Sequence, residues 1–95
     1  MYVVIVEFII EDTAHVDEFR ERVGQQARDS LDNEADCHQF DICIDPGRPE
    51  RLLLYEVYSD AAAFDSHLAS AHFLDFDASV HGWLRDKKVT RWEKI

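Results

Sequence analysis

Two acids stand inside runs of residues otherwise built for burial. Glu7 interrupts YVVIVEFII, residues 2–10, and Glu56 interrupts RLLLYEVYS, residues 51–59. A carboxylate removed from water, or set beside a second carboxylate, keeps its proton to higher pH, which suits a general acid or base near neutrality. The structural alternative is that each acid pairs with a cation such as Arg91 or reaches water at a strand end. His67 and His72 are the other candidates, because imidazole is the usual proton carrier near neutral pH. On one unbroken helix their side chains would point about 140° apart and could not share a metal ion. A break near Ser70 would bring both to one cavity mouth. Otherwise they are capping or core-edge histidines, and His15, His38 and His81 read as structural or exposed.

Aromatic residues surround these positions in the sequence. Tyr55, Tyr58, Phe40, Phe64, Phe73, Phe76 and Trp92 are first of all core material, but Tyr58, Phe73, Phe64, Phe40 and Trp92 could line a pocket for a flat substrate. No Gly-rich phosphate loop, nucleophile elbow or HExxH motif occurs. The only cysteines, Cys37 and Cys43, would lie roughly 20 Å apart on an extended segment, beyond disulfide reach, and lack zinc-site spacing. No metal and no cofactor is expected, and a reducing cytoplasm fits.

These residues need elements to carry them. Residues 2–10 form a strand that is apolar at odd and even positions alike, so both of its faces should be covered. Asp12 or Thr13 can cap a helix over about 13–32, whose apolar stripe is Val16, Phe19, Val23, Ala27 and Leu31. Residues 37–44 alternate, with His38, Phe40, Ile42 and Ile44 on one face. The Asp45-Pro46-Gly47 turn joins them to a strand over 51–59. Ser59 or Asp60 caps a second helix, with Phe64, His67 and Leu68 sharing a face. Ser70 caps a further segment lined by Phe73, Phe76, Val80 and Leu84, and residues 87–94 form the last strand.

The order βαββαβ predicts a single α+β domain over residues 1–95, a split βαβ arrangement with both helices on one face of a four-stranded antiparallel sheet. Its other face is then bare, yet the strands at 2–10 and 51–59 are apolar on both faces. A chain of 95 residues is marginal alone, so a homodimer packed sheet to sheet is the economical solution. The formal charge of −10 argues against nucleic acid and anionic membrane as partners. The run Tyr2–Ile10 has no basic flank and is too short to span a bilayer.

The ordered set Tyr55-Glu56-Val57-Tyr58-Ser59-Asp60, Ala63-Phe64, His67-Leu68, Ser70 and His72-Phe73 resembles the antibiotic biosynthesis monooxygenase superfamily, whose pattern there is close to YExYxDxxAFxxHxxSxHF. Upstream, Val16 to Phe19, Ser30, Glu34, Cys37, Phe40-Asp41 and Asp45-Pro46 also fall where members carry similar residues. The resemblance implies a ferredoxin-like, dimeric α/β-barrel homodimer with a pocket between helices and sheet. Within the superfamily, Glu7, Phe40-Asp41 with Asp45-Pro46, and the YExY run look most like the quinol-type monooxygenases and the isomerase that processes an autoinducer-2 product. The haem-degrading branch carries Asn at Glu7, Trp at His67 and its axial His at Asp77, so haem chemistry is disfavoured. Three departures stand out: Glu34-Ala35-Asp36-Cys37 where members often read Glu-Pro-Gly-Cys, Ala71 where Pro is common, and no helix-one His near Ala27.

Three functions compete on these residues. One is a cofactor-independent monooxygenase in which Glu7, Glu56, His67 or His72 takes a proton from an electron-rich quinol-, anthrone- or enol-like small molecule that then reduces O2 directly. Another is an isomerase or tautomerase sharing the same first proton abstraction. The third is a non-catalytic ligand-binding dimer.

Overall fold

The structure, a computed structural model, describes residues 1–95. Strand β1 spans Tyr2–Ile10, helix α1 Val16–Asn33, β2 Cys37–Asp45, β3 Arg48–Tyr58, α2 Ala61–Leu68, α3 Ala71–Val80 and β4 Leu84–Glu93. The strands pair antiparallel in the order β2-β3-β1-β4, so the two runs interrupted by acids are the central strands. The fold is the ferredoxin-like α+β arrangement that the element order predicts. Strand β3 begins earlier than expected because Asp45 accepts the Gly47 amide at 2.9 Å, a tight turn that lets pairing resume at Asp45↔Arg48. Strand β4 likewise starts at Leu84, directly after a short 3-10 turn.

The helices cover one sheet face. Val4, Val6, Phe8 and Ile10 of β1 and Leu52, Leu54 and Tyr58 of β3 meet Val16, Phe19, Val23, Phe64, Phe76 and Val80 in one core. Along α1 the inner stripe departs from expectation. Leu31 is 44% exposed, and the buried positions are Gln26 and Ser30 alongside Ala27. A 3.6-residue period carries the core face from Val23 through Gln26 to Ser30, and the sequence reading follows hydropathy instead of geometry. The Ser30 hydroxyl is satisfied within the helix, donating to the Gln26 carbonyl at 2.8 Å.

One further correction concerns β2. Its register shifts between Cys37 and Gln39, so Cys37 enters the core and His38 does not share the inward face of Phe40; His38 is exposed, its ring 2.7 Å from the Ser59 hydroxyl. Cys43 is exposed, and both cysteines are free. No helix is long and apolar enough to cross a membrane.

Candidate functional site

Strand parity decides which acid faces the helices. Glu56 lies on β3 between the inward residues Leu54 and Tyr58 and is buried. Glu7 alternates with Val6 and Phe8, which face the helices, so it points to the opposite face. There it is half-buried, 3.5 Å from Arg51. The two acids are on neighbouring strands, but the sheet separates them. The expectation that Glu7 joins Glu56 in one cavity is therefore corrected, and its pairing with Arg51 is the structural alternative realised with a different arginine. Trp92 needs the same correction. It alternates with Lys87, Val89 and Arg91, pairs with Val3, and bonds Thr90 at 3.1 Å while 57% exposed, away from the helix-side pocket.

The histidines converge. Asp60 caps α2 by accepting the Ala63 amide at 2.8 Å, and Ser70 caps α3 by accepting the Phe73 amide at 3.3 Å. The Ser70 hydroxyl also donates to the His67 carbonyl at 2.7 Å, closing the break between the helices. That break reorients His72 relative to His67. Both rings now reach one oxygen, Oε2 of Glu34: His67 Nδ1 at 2.8 Å and His72 Nε2 at 2.6 Å. Glu34 is the residue that follows α1, held there by its amide bonding the Ser30 carbonyl at 3.0 Å. An ionised carboxylate only accepts, so both ring nitrogens donate to it. His67 is then fixed as the Nδ1–H tautomer, with its Nε2 lone pair free to take a proton.

His67 is buried in an aromatic cage. Its ring centroid lies 5.1 Å from Phe73, 5.5 Å from Tyr58, 5.9 Å from Phe64 and 6.2 Å from Phe40. Burial lowers its pKa, and the hydrogen bond and charge of Glu34 oppose that shift only in part. The ring therefore stays neutral at physiological pH, as a base must. Glu56 is pushed the other way, to about 7, chiefly because burial penalises its charge. The Tyr58 hydroxyl, which donates to Glu56 Oε1 at 2.5 Å, and the more distant Lys87 ammonium offset only part of this. At neutral pH Glu56 is poised to give or accept a proton.

These groups share a cavity whose space open to water is about 40 Å³, lined by Phe40, Glu56, Phe64, His67 and Phe73 among others. Tyr58, expected to line the pocket, is fully buried and does not line it; it reaches the site through its bond to Glu56. His72 stands outside, on a polar cleft of about 230 Å³. Three residues of this site are not among the site residues expected from the sequence: Glu34, Gln26 and Lys87. Gln26 lines both the cavity and the cleft. Lys87 reaches inward over the Phe8 and Phe73 rings, at 5.9 and 5.7 Å, and lies 3.6 Å from Asp77. The usable signal for Gln26 was its spacing from Val23 on the inner stripe. Glu34 stands among the residues that carry the family resemblance, but its role does not follow from that, because it depends on a contact across 33 residues of chain.

Glu34, His67 and His72 also offer three atoms within 4.8 Å of one another that could hold a metal. Ligands around a tetrahedral first-row metal stand roughly 3.3 Å apart. Both histidines are closer to Glu34 Oε2 than that, at hydrogen-bond distances, so the trio as it stands has the geometry of a proton-bonded network.

Comparison with known proteins agrees with the architecture. The family model described as antibiotic biosynthesis monooxygenase matches residues 1–79. A candidate antibiotic biosynthesis monooxygenase from Nitrosomonas europaea is 27% identical, with a TM-score of 0.93 over 100% of this chain and 99% of that one. Rv0793 from Mycobacterium tuberculosis is 24% identical, with a TM-score of 0.89 over 99% of this chain and 94% of that one. A conserved protein from Methanosarcina mazei Go1 is 20% identical, with a TM-score of 0.89 over 99% and 92%. The last two likenesses speak to the fold alone. No curated protein matches the chain at a significant level.

Proposed function

The chain belongs to the antibiotic biosynthesis monooxygenase family, and from that premise we propose that it oxygenates a small, electron-rich quinol-, anthrone- or enol-like molecule without metal or flavin. The observation that carries this reading is a neutral, tautomer-fixed His67 and a Glu56 with a pKa of about 7 on one aromatic-walled cavity. Ground-state O2 reacts slowly with closed-shell molecules, but a phenolate or enolate can reduce it directly. His67 Nε2 or ionised Glu56 takes the substrate proton, and the Lys87 ammonium steadies the anion. The electron-rich carbon then forms a C–O bond to O2, and the proton returns to the distal oxygen. Loss of water leaves a carbonyl, so a quinol plus O2 gives a hydroxyquinone plus water. Phe40, Phe64 and Phe73 hold the ring flat and keep the site dry.

The test is oxygen uptake. With a substituted hydroquinone, O2 consumed should match hydroxylated product one to one, above the autoxidation rate. A Glu56 that can both take and return a proton also suits the isomerase reading, and product from an enolisable carbonyl compound without oxygen uptake would identify it. Binding without turnover of either kind would leave a ligand-binding dimer.

The same proposal includes a homodimer formed through the bare sheet face. Ile5, Leu53 and Tyr55 lie there only partly covered, beside exposed Trp92. An apolar sheet face left in water is a strong drive to association. Light scattering on a sizing column should give twice the chain mass of 11.1 kDa. A clean monomer at micromolar concentration would refute sheet-to-sheet packing.

A further inference from the structure

Gln26 is 3% exposed on α1, and its side-chain oxygen has no hydrogen-bond partner. The orientation of its amide follows from Ser30. The Ser30 hydroxyl proton is committed to the Gln26 carbonyl at 2.8 Å, so Ser30 Oγ can only accept. Its only amide neighbour is Gln26 Nε2, at 3.5 Å. Nitrogen therefore faces Ser30, and Oε1 is left over. Buried acceptors are nearly always satisfied in folded proteins, and an orphan costs folding free energy that an apolar side chain of equal length would not. Gln26 and Phe76 are the two residues that line both the inner cavity and the polar cleft beside His72. The side chain that carries the orphan acceptor thus lines the same narrow space as Glu56 and His67.

We propose that Gln26 Oε1 is a specificity contact that accepts a hydrogen bond from a second hydroxyl of the substrate, remote from the group that gives its proton to the base. The inference rests on the oxygenation reading for its substrate class, and it narrows that class to dihydroxyaromatics. One hydroxyl meets the base, and the other meets Gln26 on the α1 wall. A substrate with its second oxygen methylated offers no donor, and it leaves the acceptor orphaned while displacing any water that could reach it.

The experiment is binding under nitrogen, with methylhydroquinone and its monomethyl ethers as probes and Gln26→Met as the variant. Wild type should bind the diol roughly 10- to 100-fold more tightly than the ethers. The variant should lose that preference, with diol affinity falling to that of the ethers and ether affinity moving less than about twofold. Its melting temperature should rise by about 3–6 °C, because the orphan acceptor is gone. A wild type that binds diol and ethers equally, or binds none of them, overturns the assignment. So does a variant that keeps the preference. Admission of air separates the two readings. Diol preference that depends on Gln26, in a protein that then consumes no oxygen, supports the contact and sinks the monooxygenase reading.

Discussion

His67→Ala should lower kcat/KM for a hydroquinone by about 10²–10⁴, the range expected when a positioned proton acceptor is removed. Glu34→Gln should come close behind, at about 10–10², although Glu34 does not line the cavity. As a carboxylate, Glu34 accepts from both histidines on one oxygen. An amide in its place can turn its NH2 toward His67 Nδ1, and the ring then carries its proton on Nε2, pointing at the substrate. The side chain would be nearly unchanged in shape while the base is in the wrong tautomer. His72→Ala should have a smaller effect, because it removes one donor to Glu34 and leaves the His67 contact in place. The order His67→Ala, then Glu34→Gln, then His72→Ala is the measurement of interest, with circular dichroism and oligomeric state unchanged. If Glu34→Gln kept full activity, the carboxylate would not be setting the tautomer. If His67→Ala did so too, the network would be a structural staple between α1 and the two following helices.

The fold was open to sequence reasoning because its evidence is local. Apolar runs, caps at Asp60 and Ser70, and the Asp45-Pro46-Gly47 turn each act within a few residues, and together they leave one topology. The helix break at Ser70 was legible for the same reason, and with it the convergence of His67 and His72. What failed was whatever depends on parity or on contacts remote in sequence. Glu7 and Glu56 read alike as acids in greasy strands, and only the register Glu7↔Leu53 with Val4↔Glu56 puts them on opposite faces. Because side chains alternate at every residue, a single step decides between cavity and bare face. Trp92 fell to the same ambiguity, since β4 is polar enough that hydropathy does not mark its inner side. Lys87 carries no hydropathy signal, yet its ammonium lies over the Phe8 and Phe73 rings, as the ends of long amphipathic side chains often do.

Glu56→Gln should stabilise the protein at pH 8 by up to about 3 kcal/mol while removing most of its activity. Burial raises the Glu56 pKa from 4.5 to about 7. The sign follows from proton counting. Between pH 4.5 and about 7 the folded protein holds a proton on Glu56 that the unfolded chain has lost, so stability falls as pH rises through that window. Below it both states are protonated, and the acid contributes no such loss. Above it both are ionised, and the folded state bears the full penalty of a buried charge, about 1.4 kcal/mol for each pKa unit. Glutamine is nearly isosteric and its carbonyl still accepts from Tyr58, but it never ionises, so the penalty disappears. His67, whose pKa is lowered, adds the opposite slope in acid, but it is present in both proteins and cancels in the difference. Urea unfolding at a series of pH values should therefore give curves that nearly coincide near pH 4.5 and separate progressively up to pH 8, with the variant above. The kinetic counterpart is a fall in turnover of about 10² or more on the alkaline side, where wild-type Glu56 is ionised and can act as a base. Parallel stability curves would mean that Glu56 ionises freely, through water reaching the cavity, and its place as the second proton-transfer group would go with them. A stabilised variant with undiminished turnover would leave His67 as the sole base. Stabilisation together with loss of activity is the signature of a carboxyl group buried at the expense of folding stability because the chemistry uses it.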